Sequence, residues 1–332
     1  MCAKNFEIDE KRILITGGTG MIGSALVKVL LTESACKLIL IVRDETLAKS
    51  KFAKWIDGDD RISFVKGDLG AGFVPPIEGR VDVIFHLASN THPKAYAERP
   101  ISTIAMNVMA TQGLLEIAAK NLSCRFVYVS SVEVYGRNRG DEDRFDEKYC
   151  GYIDCNTLRA GYPESKRCGE ALCQAYIKEK GVDVVIPRLA RVYGPGLLRT
   201  DTKALSQFFW NAIEGKDIVL KSAGDQYFSY IHCDDAVQGL LTILQRGSSG
   251  EAYNVSDETS DIHLKDLAKL VARYAGTKVV FDLPDEIERV GFSTATTARL
   301  NSQKLKSLGW IPKYDIQSGI KATLDALRKG NQ

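Results

Sequence analysis

Two side chains four residues apart, Tyr162 and Lys166 in GYPESKRCGEAL, carry the first chemical signal of this 332-residue chain. On a helix that spacing puts both on one face. A lysine ammonium beside a phenol favours the phenolate and lowers a reference pKa of about 10. A tyrosine tuned in this way takes the proton from a sugar hydroxyl while hydride leaves the same carbon. The pair alone is equally a surface helix pair. Two serines, Ser130 and Ser131, stand where an apolar run ends, in RFVYVSS. Two residues further, Glu133 sits among small and β-branched residues in YVSSVEVYG. Burying an unpartnered carboxylate is costly, so an acid there needs a partner or a task. Read as a continuing strand, alternation points Ser131 and Glu133 the same way, toward a cleft. The alternative is a structural pairing with an arginine such as Arg159.

A second signal is ITGGTGMIG, which places Gly17, Gly20 and Gly23 between a first strand and a first helix, with Met21 and Ile22 opening that helix. Gly17 permits a tight turn, Gly20 lets a pyrophosphate approach the backbone, and Gly23 lets helix and strand pack closely. The helix N-terminus offers free N–H groups and the positive end of its dipole to phosphates. The second strand ends in VRD. An acid there accepts from the adenosine ribose, whereas an arginine favours the extra phosphate of NADP. Arg43 and Asp44 offer both, so NAD is expected with NADP left open. KGDLG ends the third strand with Asp68, placed to hold an adenine amino group or to form a turn, and Leu69 follows it.

The elements that must position these groups read as alternating strands and helices. RILIT, KLILIVR, RISFVKGD, VDVIFHLAS, RFVYVSS and GVDVVIPRLA are short apolar strands, with helical patterns at MIGSALVKVLLTES and TIAMNVMATQGLLEIAAKN. Such alternation predicts an α/β fold, a doubly wound parallel sheet of the Rossmann type, covered on both faces. After about residue 190 the pattern loosens, with helices expected at ALSQFFWNAIEG, DDAVQGLLTILQRG, LKDLAKLVARYAG and SQKLKSLGW. The division expected is a dinucleotide-binding domain at 1–190, with 229–246 packing back on it, and a smaller mixed substrate-binding region at 191–332. A cleft between them is the natural ligand site.

Composition narrows the function classes. The chain is 45% hydrophobic and 26% charged with net charge +2, which gives no reason to expect nucleic acid or a polybasic membrane patch. Cys2, Cys36, Cys124, Cys150, Cys155, Cys168, Cys173 and Cys233 form no CxxC pair, and the four histidines do not cluster with them. No metal site is expected. The N-terminus lacks an apolar signal core, and no apolar run approaches the roughly 20 residues of a membrane span. Free thiols then fit a reducing cytoplasm.

Taken in order, TGGTGMIG, FHLAS, NVMAT, SSVEVYG, YPESK, RVYGPG and YIHCDDAV resemble the extended short-chain dehydrogenase/reductase superfamily, in its nucleotide-sugar epimerase, dehydratase and decarboxylase branch. The resemblance implies that Ser131 polarises the sugar oxygen, Tyr162 is the acid/base and Lys166 holds the nicotinamide ribose. It implies that Leu87, Ala88 and Ser89 lie along the cofactor with Ser130 nearby, that Asn107 supports the network, and that Asn90 and Arg159 join the substrate site. A glutamate at position 133 resembles the dehydratases and glucuronate-type decarboxylases, where it would remove the C5 proton of a 4-keto sugar. CNTLRAGYPESKRCGE resembles the decarboxylase-like subgroup, with Arg159, Arg167 and Glu170 around the tyrosine and lysine.

Two departures qualify the substrate. Val132 stands where dehydratases carry an aspartate, and valine cannot protonate a leaving hydroxyl. Phe228 stands where an arginine commonly touches the diphosphate or a sugar carboxylate, while Arg191 replaces a usual asparagine and offers a phosphate contact from another direction. The leading expectation is an NAD-dependent nucleotide-sugar epimerase/dehydratase acting through transient oxidation at C4. A UDP-glucuronate-type decarboxylase and an NADPH-dependent reductase of the dihydroflavonol-reductase-like type are the alternatives. A homodimer through residues 101–120 and 163–180 is implied by the resemblance.

Overall fold

The computed structural model describes residues 7–56, 60–91, 98–121, 123–282 and 296–330. Strand β1 (Arg12–Thr16) is buried from Ile13 onward. An unbroken apolar run of this kind belongs to a strand covered on both faces. On one side of it lie β2 (Lys37–Val42) and β3 (Ile62–Lys66). On the other lie β4 (Val83–His86), β5 (Arg125–Tyr128) and β7 (Asp183–Leu189), with the two-residue β6 (Ser130–Ser131) extending the line of β5 against β7. Every one of these pairings is parallel. The order β3-β2-β1-β4-β5-β7 reverses between β1 and β4, and ligands of such sheets bind outside the strand ends at that reversal.

The intervening helices are α1 (Met21–Glu33), α2 (Glu45–Ile56), α3 (Pro100–Lys120) and α4 (Gly161–Lys180). One apolar cluster runs from Leu26, Val27 and Leu30 of α1 through Ile13, Ile15 and Phe85 into the C-terminal part of the chain. The other face is sealed by Leu14, Ile84 and Phe126 against Met106, Ala110 and Leu114 of α3 and Cys173 of α4.

The rest of the chain builds the second lobe. Strand β8 (Arg191–Tyr193) leads to α5 (Ala204–Ile213), β9 (Ile218–Leu220) and β10 (Tyr227–His232). Helix α6 (Cys233–Arg246), strands β11 (Ala252–Val255) and β12 (Asp261–His263), and helix α7 (Leu264–Ala275) follow. They are succeeded by β13 (Val279–Phe281), β14 (Thr297–Ala298), α8 (Gln303–Lys306) and α9 (Ile316–Gly330). β10 holds a small mixed sheet together, pairing in parallel with β8 and β14 and antiparallel to β12. β11 leaves this lobe and adds itself to the free edge of β7. The chain therefore returns to the main sheet twice after residue 190, through α6 against α1 and through β11. Among the described residues no helix is long and apolar enough to cross a membrane.

One acid latches the C-terminal segment to this frame. Asp235 of α6 is 3% exposed. It accepts the backbone N–H groups of Lys313 at 2.8 Å and Tyr314 at 2.9 Å, while its own carbonyl accepts from the Trp310 indole at 3.2 Å. Asp235→Ala leaves two part-buried backbone donors without their acceptor, a loss of about 1–3 kcal/mol each. A urea unfolding curve should show a loss of about 3 kcal/mol, and a loss below about 1 kcal/mol would contradict the latch.

Candidate active site

Helix α4 begins immediately after a 3-10 turn at Leu158–Ala160. Pro163 occupies its first turn, where the missing N–H has no intrahelical partner to lose. Tyr162 therefore lies at the positive end of the helix dipole, which favours an anion, and Lys166 follows one turn later on the same face. Both are buried, at 6% and 2% exposure. The lysine ammonium donates to the Val129 carbonyl at 2.8 Å and lies 4.9 Å above the Tyr128 ring. Val129 is the link between β5 and β6, so this bond pins the strand end to α4.

The tuning expected from the spacing differs in the structure. Burial pushes the Tyr162 phenol up to about 12; a hydrogen bond shared with Ser131 pulls it back, and the nearby Glu133 charge pushes it further up. Lys166 is itself lowered to about 8, by burial first, with Glu170 working in the opposite direction. The lysine spends its proton on the Val129 carbonyl, and the free chain holds the phenol protonated at neutral pH.

Glu133 also differs from its expectation. The strand ends at Ser131, and Val132–Tyr135 form a 3-10 turn capped by Ser131, whose Oγ accepts the Glu133 N–H at 3.2 Å. Glu133 thus reaches the site from a turn, not by strand alternation. Its carboxylate lies 3.3 Å from an Arg159 nitrogen and 3.7 Å from an Arg191 nitrogen. Arg191 stacks its guanidinium 3.5 Å from the Phe228 ring centroid. The guanidinium of Arg191 on β8 therefore lies over the Phe228 ring of β10. Arg191 Nη1 is buried with no hydrogen-bond partner. Val132 points away from this chemistry and is buried in the apolar core.

A polar relay ties the end of β4 to α3 and α4. Ser89, just beyond β4, donates to Asn107 Oδ1 at 2.8 Å. The Asn107 amide donates to Ser165 at 3.0 Å, and the Ser165 hydroxyl donates to the Tyr162 carbonyl at 2.9 Å. Asn90 is tied to α3 by its amide, which donates to Thr103 at 3.0 Å. Ser165 lies inside the YPESK stretch, and only its position between the tyrosine and lysine hints at this role. His86 was likewise not singled out by the sequence. It is fully buried, held neutral by burial that lowers it to about 3. Its Nδ1 shares a 2.8 Å hydrogen bond with Thr16, whose hydroxyl also accepts the Ala88 N–H at 3.1 Å.

The glycine loop fits a diphosphate. Gly17 has φ of +71°, and a Cβ there would meet the Ala88 nitrogen at 2.7 Å, so the loop presses on the end of β4. A Cβ on Gly23 would meet the Gly17 carbonyl oxygen at 2.2 Å. Above Gly20 the space is open apart from that same oxygen at 3.3 Å. The N-terminus of α1 has no side-chain cap and no acid in its first turn, leaving the N–H groups of Met21, Ile22 and Gly23 for an anion. The Met21 carbonyl accepts from Cys233 Sγ at 3.8 Å, which docks the second lobe behind this helix.

Several of the residues expected to contact a cofactor also make bonds within the protein. Ser130 donates to Glu170 at 2.6 Å, and Glu170 pairs with Arg188 at 2.6 Å. That hydroxyl ties β6 to α4 and β7. Asp44 caps α2, accepting the Leu47 N–H at 2.9 Å. Asp68 accepts the Gly70 N–H at 3.0 Å, and the Leu69 side chain turns into the core. Arg43 is exposed beside Asp44.

The chain is similar to known proteins. The model of the family described as the NAD dependent epimerase/dehydratase family matches residues 13–256. UDP-glucuronic acid decarboxylase 1 of Danio rerio is 30% identical over 321 residues, covering 96% of this chain and 73% of that protein. Human dTDP-D-glucose 4,6-dehydratase is 29% identical, over 96% of this chain and 90% of its own. The crystal structure of the dTDP-glucose 4,6-dehydratase DesIV from Streptomyces venezuelae, solved with NAD bound, superposes with a TM-score of 0.80 at 26% identity, covering 96% and 98% of the two chains.

The buried lysine gives a direct test. In ligand-free protein Lys166 should titrate near 8, read by NMR of ¹³Cε-labelled lysine. Glu170→Gln removes the charge that supports the ammonium, so the midpoint should fall further. A midpoint at the ordinary lysine value, or a rise in the variant, would contradict the site as drawn.

Proposed function

The chain belongs to the NAD-dependent epimerase/dehydratase family, and from that premise we propose that it acts on a nucleotide-linked sugar by transient oxidation at C4 followed by chemistry at C5. The observation that carries this is the hydrogen bond shared by Ser131 and Tyr162, with Glu133 alongside. Gly17, Gly20 and Gly23 with the first turn of α1 hold the diphosphate of NAD, and Ser89, Asn107 and Lys166 line the approach to its nicotinamide end. When bound, NAD supplies a reversible two-electron acceptor and a positively charged ring.

The residues of this chain do the proton work. Ser131 and Tyr162 grip the carbinol oxygen, and Tyr162, once ionised by the positive charge that arrives with the ligand and by the helix dipole, takes its proton. Oxidation at C4 makes the C5 substituents labile, since the carbanion left at C5 is conjugated with the ketone. Glu133, flanked by Arg159 and Arg191, is the base within reach of that carbon. When hydride returns to C4, Tyr162 gives the proton back to the oxygen and the hydroxyl is restored.

The finer reading concerns the C5 substituent. With Val132 in the core, no acid stands between Ser131 and Glu133 to protonate a leaving C6 hydroxyl, so loss of water is disfavoured. Phe228 alone would argue against a sugar carboxylate. Arg191 over Phe228, with a buried unpartnered Nη1, supplies the missing cation at the sugar end of the cleft. A nucleotide-linked uronate is therefore the favoured substrate, turned over by epimerisation or, as in the decarboxylases the chain is similar to, by loss of carbon dioxide.

We place the protein in a reducing cytoplasm, because the seven cysteines among the described residues are free. We also read it as a homodimer through α3, which exposes Ile101 at 83%, Ile104 at 44% and Met109 at 54%.

Mass spectrometry after incubation with UDP-glucuronate, UDP-glucose and dTDP-glucose tests this reading. The uronate should be converted, to an isomer of unchanged mass or with loss of carbon dioxide, and neutral hexoses should not lose water. Arg191→Asn should reduce the preference for UDP-glucuronate over UDP-glucose about tenfold or more, as expected for one lost charged hydrogen bond. Dehydration of dTDP-glucose, or an unchanged preference in the variant, would overturn it.

A further inference from the structure

The proton chemistry of Ser131, Tyr162 and Glu133 leaves Arg167, the residue after Lys166 on α4, without a task. Its side chain is 27% exposed, so most of it is packed into the protein. Nε donates to the Val134 carbonyl at 2.7 Å, and Nη2 donates to the Gly151 carbonyl at 2.9 Å. Nη1 lies 3.5 Å from Glu164 on the same helix. A guanidinium is a rigid planar fork, so two acceptors held by it are also held relative to each other.

The two carbonyls belong to the two segments that carry the Glu133–Arg159 pair. Val134 follows Glu133 in the 3-10 turn Val132–Tyr135. Such turns have poor internal hydrogen-bond geometry and depend on ties from outside. Ser131 caps the front of this one at the Glu133 N–H, and the Gly136 N–H closes it on the Glu133 carbonyl at 3.2 Å. Gly151 opens the stretch that leads to the second 3-10 turn, Leu158–Ala160, where Arg159 stands. It lies directly on the first turn. Its N–H donates to the Tyr135 carbonyl at 2.8 Å, and a Cβ there would meet that same oxygen at 2.6 Å. Arg167 thus grips the backbone of both segments, whose side chains meet at 3.3 Å as Glu133 and Arg159.

Resting on the reading of Glu133 as the base at C5, we infer that Arg167 is the positioning residue for that base. It fixes the turn bearing the carboxylate against the segment bearing its arginine partner, through two charge-assisted bonds. The groups that serve C4 have ties of their own. Ser131 shares a hydrogen bond with Tyr162, and Lys166 holds the Val129 carbonyl. Adjacent residues of α4 therefore serve different steps, with Lys166 fixing the strand end and Arg167 fixing the turn beyond it. A base displaced by about 1 Å loses on the order of a hundredfold in rate, so the carbonyl grip bears on C5 chemistry and not on oxidation at C4.

The test uses the full chain with NAD bound and UDP-glucuronate in D₂O. Deuterium uptake at C5 of the sugar, read by mass spectrometry, reports the C5 step. The rise of reduced-nicotinamide absorbance in a single turnover reports the C4 step. Arg167→Met keeps a good helix former in α4. It should slow the C5 step about ten- to a hundredfold, while the absorbance rises at the parent rate and then persists. In ligand-free protein, amide hydrogen exchange should quicken at Val132–Tyr135 and Leu158–Ala160 and stay unchanged in the glycine loop. Arg167→Lys keeps a charged donor for one carbonyl and should fall between the parent and Arg167→Met in both readouts; if the Met variant does not fold, the same split in Arg167→Lys decides. Equal slowing of both steps, an unchanged C5 step, or unchanged amide exchange in the two turns would overturn the positioning role and leave the C4 chemistry in place. A parent chain that takes up no deuterium at C5 would overturn the base and its positioning together.

Discussion

A buried ammonium on a strand carbonyl sets the geometry of this site. Lys166 reaches from α4 to Val129 at 2.8 Å, at the joint where β5 ends and β6 begins. Burying a lysine is costly, and its lowering to about 8 records that cost. The Val129 hydrogen bond, the face of Tyr128 and the field of Glu170 offset part of it. The strand end and the helix are thereby held in one register. Ser130 then meets Glu170 on the same helix, and Ser131, one residue on, meets Tyr162. Arg188 of β7 closes the arrangement by holding Glu170 with two nitrogens.

This arrangement positions the Tyr162 phenol and the Glu133 carboxylate but leaves them electrostatically incomplete. The phenol sits near 12 in the free chain because burial outweighs the Ser131 hydrogen bond and Glu133 opposes ionisation. Positive charge has to arrive with the ligands before the phenol becomes an effective base. The same low-dielectric surroundings that raise it would then magnify that charge. The carboxylate beside it is in the opposite situation, flanked by Arg159 and Arg191. The pocket therefore sets a phenol that ionises only when positive charge arrives beside an arginine-flanked carboxylate, which suits removal of one proton at C4 oxygen and a second at C5.

The fold was legible wherever one period dominated a segment. The strands from RILIT to GVDVVIPRLA and the glycine loop were readable because buried parallel strands are uninterrupted apolar runs. The helices at Ala204–Ile213 and Leu264–Ala275 were readable from their amphipathic spacing. Ala252–Val255 was not, because a four-residue strand that completes a distant sheet edge has no local signature. Within the site, residue identities were legible and their directions were not. Glu133 was placed in the cleft by a strand rule, but a 3-10 turn brings it there, since Ser131 caps the turn with its own hydroxyl. The positions of Asp44 and Ser130 did not show that a helix N–H and a part-buried glutamate also bond to them. The exchange of a cation between neighbouring strands, from the position of Phe228 to Arg191, was visible as two separate oddities. The pairing of Arg191 with Tyr230 across β8 and β10 makes them one feature.

The central claim is that Ser131 and Tyr162 serve a bond-breaking event at C4 of the sugar that is later reversed. A single-turnover experiment with nucleotide sugar carrying deuterium only at C4 tests it most directly. The account predicts slower conversion than with the unlabelled sugar, and product that keeps its deuterium, because the label leaves C4 and comes back to it within one closed site. Conversion at an unchanged single-turnover rate, or product whose C4 deuterium has been replaced by solvent hydrogen, would contradict it.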